Sequence, residues 1–202
     1  MEFRLTYEGP LHSTQRDPQG SAPVKHSEEK HTIRKHFHYQ LERLWEVTPA
    51  LKRGGSKIDV ITTNAPPAFD AKSLAHHHQH YGFSFVPLVT EELDLICGLE
   101  ILFLRSDKPG KVWQGDIDNR IKTLLDALSV PQPGDKYVDR IPLEDEKPFY
   151  CLLEKDDLIT KLAVETDQLL EIKPDKESEN IHLVITVRLR PYDLHVGNMH
   201  MG

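Results

Sequence analysis

A compact α/β domain with a mixed β-sheet flanked by helices is the fold class this sequence predicts, and three observations carry it. Ile96 to Leu104 and Ile181 to Leu189 read as long strands. Between them Ile121, Leu124, Leu125 and Leu128 recur at i, i+3, i+4, i+7, the mark of one buried helical face. The chain of 202 residues fits one domain, 1–202, with ample material for a core.

The elements follow in order. Phe3, Leu5 and Tyr7 alternate with Arg4, Thr6 and Glu8, a half-buried strand that Gly9-Pro10 ends. A polar loop rich in Pro, Gly and Ser runs to about Ser27. Ile33, Phe37, Leu41, Leu44 and Trp45 then share one helical face, closed off by Pro49 and Gly54-Gly55. Irregular insertions are expected at about 54–95 and 131–154, the second of them acidic. Within the first, Phe83 to Val89 reads as a short strand that Pro87 confines to the neighbourhood of an edge. Ile96 to Leu104, apolar apart from Glu100 over most of its length, is expected to be a central strand covered on both faces. The next helix stops before Pro131, because the residue ahead of a proline disfavours the α conformation. Leu158, Thr160, Leu162 and Val164 alternate with Ile159, Lys161, Ala163 and Glu165, and Ile181, Leu183, Ile185, Val187 and Leu189 face one way in the last strand. Strand, helix, strand, helix, strand, strand is an order that builds a mixed sheet.

Composition narrows the class of function. No apolar run reaches the roughly 18–20 residues of a membrane span, and the polar N-terminus lacks a signal-peptide pattern. Cys97 and Cys151 are too few for a disulfide framework or a cysteine zinc site, so a reducing cytoplasm is the expected location. The net charge of −7 speaks against a nucleic-acid partner. From Gly134 to Glu179, however, 14 acidic residues outnumber 7 basic ones, which accounts for the whole excess. Met1 to Lys57 carries 10 basic and 7 acidic residues with five histidines, so a locally basic surface is compatible with the total.

The most informative stretch is Gly115-Asp116-Ile117-Asp118-Asn119-Arg120-Ile121-Lys122, continuing to Asp126-Ala127-Leu128. Asp118 falls at the N-cap or in the first turn, where a carboxylate accepts backbone N–H bonds and meets the positive end of the macrodipole. Lys122 and Asp126 follow at four-residue steps on the same helix side, so Lys122 is also placed to bridge the two aspartates. Asp126 lies about 12 Å along the axis from Asp118 and is expected to support the site rather than to share one ion with it. Read without context, an Asp-x-Asp pair is an ordinary helix cap with its neighbour.

The pattern D-x-D-N-x-x-K-x-x-x-D-A-L resembles the signature of the RusA family of Holliday-junction resolvases, which are small homodimeric, magnesium-dependent endonucleases. The family keeps a third aspartate in a D-D pair just before a strand, and Lys155-Asp156-Asp157-Leu158-Ile159 matches it here. The resemblance implies that Asp116, Asp118 and Asp157 bind Mg²⁺, for which Mn²⁺ substitutes, and that Lys122 is the catalytic lysine. It leaves open whether Asp156 or Asp157 is the third acid. It implies a homodimer without membrane attachment that cuts branched DNA, four-way junctions above all, in recombination and repair. It extends from the first strand to the last, interrupted by the two insertions. The competing expectation is a non-catalytic DNA-binding or interaction protein that keeps the fold.

Three further clusters stand out. His76, His77, His78 and His80 are read as a solvated loop, since four imidazoles in five residues rarely make one tetrahedral zinc site. Lys30, Arg34 and His38 form a four-residue stripe, and Lys52-Arg53-Gly54-Gly55-Ser56-Lys57 a basic turn. Both read as solvated surface, and in a DNA-binding protein they are the first candidates for phosphate contacts.

Overall fold

Along the chain the elements are β1 (Glu2–Gly9), α1 (Pro23–Val47), α2 (Pro49–Lys52), α3 (Ala71–His77), β2 (Gln79–His80), β3 (Phe83–Val89), β4 (Leu95–Arg105), α4 (Ile117–Leu128), β5 (Phe149–Leu153), β6 (Ile159–Gln168) and β7 (Ile181–Pro191). They come from a computed structural model that describes residues 1–12, 23–52, 70–105, 117–135, 137–170 and 180–194, with Asn198 and Met201. Together they make a single α/β domain with two mixed sheets.

The larger sheet has the order β1-β7-β4-β6. β7 runs antiparallel to both β1 and β4, and β6 runs parallel to β4. Alternation decides the faces: Leu5 and Tyr7, Leu99, Ile101 and Phe103, and Leu183, Ile185 and Val187 all point into one core. α1 lays Ile33, Phe37, Leu41 and Trp45 on that face, and α4 adds Leu124, Ala127 and Leu128. The opposite face is not covered by a described element. There Arg188 bridges Glu2 at 2.7 Å and Glu100, and Lys161 reaches Glu100 at 2.8 Å. β4 is therefore central in order, as expected, but among the described residues it is covered on one face only. Its alternate residues Ile96, Gly98, Glu100, Leu102 and Leu104 are half-exposed. The high apolar content of the strand hid a period of two.

α1 starts at Pro23, earlier than the loop ending near Ser27 implied. Proline is favoured at the first helical position, where its missing N–H is an orphan anyway.

The second sheet, in the order β2-β3-β5, lies in the two segments read as irregular insertions. Strand β3, Phe83–Val89, is the one expected there, while helix α3 and strands β2 and β5 correct the reading of the rest. β2 and β3 are joined by a two-residue turn in which Tyr81 and Gly82 both have positive φ, 54° and 79°, as a tight hairpin requires. β3 pairs parallel with β5, Phe85 opposite Phe149. β2 flanks β3 only at Phe83 and Ser84, so Pro87 has a strand partner on one side alone and its missing N–H is tolerated. Phe83, Phe85 and Phe149 pack with Val130, Val138, Cys151 and Tyr137 into a second apolar cluster. Cys97 and Cys151 are both free and buried, and burial pushes each thiol up to about 12.

α1 stands between the sheets and binds the 137–146 segment through buried polar groups. His31 meets Tyr137 Oη at 3.0 Å and lies 3.2 Å from the Glu146 carboxylate, which also accepts from Arg140 at 2.7 Å and from the Leu143 N–H at 2.9 Å. Burial opposes the charge on Glu146, yet these hydrogen bonds hold its carboxyl well below the usual range. His38 accepts the Tyr150 N–H at 2.9 Å and meets the Asp145 C=O at 2.8 Å, so its Nε2 carries the proton.

Candidate active site

α4 is the element that organises the site. It opens at Ile117, which puts Asp118 in the first turn, exposed, with Lys122 exposed one turn further on. Asp116 lies outside the described residues. Asp126, the third residue of that helix side, bonds to α1: Lys30 Nζ donates to its carboxylate at 2.5 Å. Asp126 is thus paired across the helix–helix contact rather than along its own helix with Lys122.

Arg34, four residues after Lys30 on α1, is 4% exposed. Its Nη2 donates to the Asp126 C=O at 2.6 Å and its Nε to the Ser129 C=O at 3.2 Å, so the guanidinium caps two carbonyls at the C-terminal end of α4. Tyr137 lies against its face, 5.3 Å from ring centroid to Cζ. His38 is fully buried in the contacts described above. The stripe read as solvated surface is therefore mostly buried, because polar backbone groups from distant segments meet it on its outer side. Arg53 to Lys57, the rest of the basic turn, lies outside the described residues.

The chain then brings the D-D pair to this end of α4. Ser129 forms a parallel bridge with Leu153, and the Val130 N–H donates to the Leu153 C=O at 2.9 Å. Gln132 Nε2 donates to the Glu154 C=O at 3.0 Å. The last turn of α4 is thereby fastened to the end of β5. The next residues, Asp156–Leu158, form a 3-10 turn with Leu158 buried and both aspartates exposed. β6 follows.

Between these walls lies a cleft of about 450 Å³. Lys30, Arg34, Asp126, Gln132, Asp135, Tyr137, Lys155, Asp156 and Asp157 are among its lining residues. Lys155 directs its ammonium to Glu91 at 3.0 Å, and that bond raises its pKa. The structure therefore places Asp156 and Asp157 together with Asp126 and Lys30. Asp118 and Lys122 lie on the same side of α4 but are not among the residues lining the cleft. Lys30, Arg34, Gln132, Asp135 and Tyr137 are among the cleft residues the motif did not point to. Lys30 had a signal in its four-residue step to Arg34, but its partner on α4 had none.

The aspartates lining the cleft are donors of the kind a hard cation takes, with Lys30, Arg34 and Lys155 beside them, and neither thiol nor imidazole lines it. Among the described residues no three His, Cys, Asp or Glu side chains converge into a group able to hold a metal ion. This includes the histidine cluster. His76 and His77 belong to α3 and His80 to β2, and His77 and His78 both turn to Glu92, at 2.9 and 3.2 Å. His78 is buried, not solvated, and burial lowers its pKa. No described helix is long and apolar enough to cross a membrane.

The chain matches no protein-family model, and neither characterised proteins nor solved structures give a match.

Proposed function

We propose that the protein is a metal-dependent, structure-specific endonuclease of the RusA type, acting as a homodimer on four-way and other branched DNA. The observation that carries the reading is the arrival of Asp156 and Asp157 beside Asp126 on α4, the helix whose first turn holds Asp118. The D-D pair begins 38 residues after Asp118 in sequence and reaches the C-terminal end of that helix through the fastening of Ser129 and Val130 to Leu153.

Phosphodiester hydrolysis needs an activated water, neutralisation of charge on the reacting phosphate, and stabilisation of the leaving 3′ oxygen. Mg²⁺, when bound, supplies the first two. Asp116, Asp118 and Asp157 are the residues that would hold it. Lys122 stands exposed one turn from Asp118, where its ammonium can meet the anionic phosphate or the leaving oxygen. Asp126 and Lys30 neutralise one another at the cleft wall, which keeps a fourth full negative charge away from an incoming phosphate.

A second reading, a non-catalytic DNA-binding or interaction protein, draws on the net charge of −7 and on the burial of Arg34 and His38, which withdraws two expected phosphate contacts. Nicking of a four-way junction in Mg²⁺ by wild type, Asp156→Asn and Asp157→Asn separates the two. The nuclease reading expects Asp157→Asn to lose cleavage while junction binding persists, with Asp156→Asn retaining activity. Wild-type protein that binds but never cuts in Mg²⁺ or Mn²⁺ supports the alternative.

A further inference from the structure

The two edges of the larger sheet are treated differently. At the β1 edge, Gln40 of α1 acts as a surrogate strand: its Oε1 accepts the Thr6 N–H at 2.9 Å and its Nε2 donates to the Thr6 C=O at 2.7 Å. An edge closed in this way is protected from pairing with another chain. β6, ten residues long, forms the other edge, and among the described residues no strand or helix closes it. Its middle is open to solvent, with Leu162 44% exposed although it sits beside the fully buried Leu99 on the core side of the sheet.

The direction of the free backbone groups follows from one bond. The Leu169 N–H donates to the Arg105 C=O at 2.7 Å, so by strand alternation Ala163, Glu165 and Asp167 turn their amides toward β4. Leu162, Val164 and Thr166 turn theirs outward.

We infer that β6 is a self-association strand, pairing antiparallel with β6 of a second copy of this chain about a two-fold axis at Ala163. The sequence of the strand is complementary to itself in that register. Leu162 falls opposite the partner's Val164, extending the row that begins at Leu99 and covering the exposed leucine. Lys161 falls opposite the partner's Glu165 on the other face, and the two-fold axis repeats both pairs. Outward amides at Leu162 and Val164 make these the hydrogen-bonded pairs, and Ala163 meets its own copy as a non-hydrogen-bonded pair. Such an isologous joint joins two four-stranded sheets into one of eight strands. The inference rests on the homodimer of the proposed function and gives it a joint, but it does not require nuclease activity.

The test uses the full chain. Sedimentation or light scattering should show a dimer. Glu165→Lys places lysine opposite lysine twice, and the dissociation constant should rise by about tenfold or more while circular dichroism stays that of the wild type. Ala163→Cys gives a sharper reading. In a non-hydrogen-bonded antiparallel pair the Cα atoms lie about 4.5 Å apart, within the range a disulfide spans. That variant should oxidise to a covalent dimer, and Asp167→Cys, far from the axis, should not. Cys97 and Cys151 are buried and do not compete. A monomeric wild type overturns the inference. So does a dimer that Glu165→Lys leaves intact and Ala163→Cys does not cross-link, which would place the contact on another surface. A nuclease-inactive dimer with the expected cross-link would leave the inference standing and remove only the catalytic reading.

Discussion

Lys30 on α1 and Asp126 on α4 are 2.5 Å apart, and this pair, with Arg34 capping the carbonyls of Asp126 and Ser129, fixes the end of α4 at which the Asp156-Asp157 turn arrives. The two side chains are partly exposed, 27% and 35%, so solvent weakens the attraction. Asp126→Asn should lower stability by no more than about 1 kcal/mol in denaturant unfolding. A loss of several kcal/mol would mean that the pair, and not the apolar contact of Leu124 and Leu128, holds the helices together.

Glu146 should matter far more. It is fully buried and receives Arg140, the Leu143 N–H and His31. Glu146→Gln removes the charge from a network that neutralises Arg140, and a cost of about 2 kcal/mol or more is expected. Unfolding at neutral pH with an unchanged midpoint would contradict that role.

Acid should destabilise the fold in two stages. Burial lowers the pKa of His31, His38 and His78 below the ordinary 6.5, so the unfolded chain takes up their protons first. Their contribution is complete above pH 6.5 and declines as the pH falls below it. Glu146, whose folded pKa lies below its ordinary 4.5, adds stability above that value, which is lost as the pH falls further. Melting temperature should therefore be level from pH 8 to 7 and then drop toward pH 5. A flat profile down to pH 5 would show that the histidines titrate alike in both states.

Phe149 tests whether the smaller sheet belongs to the fold or merely decorates it. Its ring lies 4.6 Å from His38, 5.6 Å from His31 and 5.8 Å from Phe85, so it packs α1 against β3 and β5. Phe149→Ala should cost about 3–5 kcal/mol and lower a single cooperative transition. Two separated transitions would make the smaller sheet an independent unit.

The larger sheet and α4 were legible because their periods are local. Ile181 to Leu189 shows its period of two without outside help, and Ile121 to Leu128 its period near 3.6. Of the smaller sheet only β3 was legible, with its proline read as the mark of an edge. β2 is two residues long, and β5 meets β3 from more than sixty residues away. No window of sequence carries that pairing. The same non-locality explains Arg34 and His38. A cation every fourth residue beside an apolar face looks like a solvated border until Asp126, Ser129 and Asp145 supply the carbonyls that cover it. The D-D pair was legible as a motif, yet its arrival beside Asp126 depends on the bridge from Ser129 to Leu153. Asp116, the first acid of the motif, falls outside the described residues.

Lys122 separates catalysis from binding. Lys122→Ala should reduce the rate of junction cleavage by about a hundredfold or more. Affinity should change by no more than a few-fold, since one lysine is a small part of phosphate-backbone binding. Equal losses in rate and affinity would make it a binding residue only.

The most direct measurement is single-turnover cleavage of a four-way junction in Mg²⁺ by the wild type and by Asp118→Asn, with junction binding and circular dichroism followed on the same samples. The account expects the wild type to place matched nicks in two strands of like polarity. It expects Asp118→Asn to stay folded, to bind the junction at least as well because a negative charge near phosphate is gone, and to leave it uncut. Cleavage by Asp118→Asn at the wild-type rate, or a wild type that is inactive in both Mg²⁺ and Mn²⁺, would contradict it.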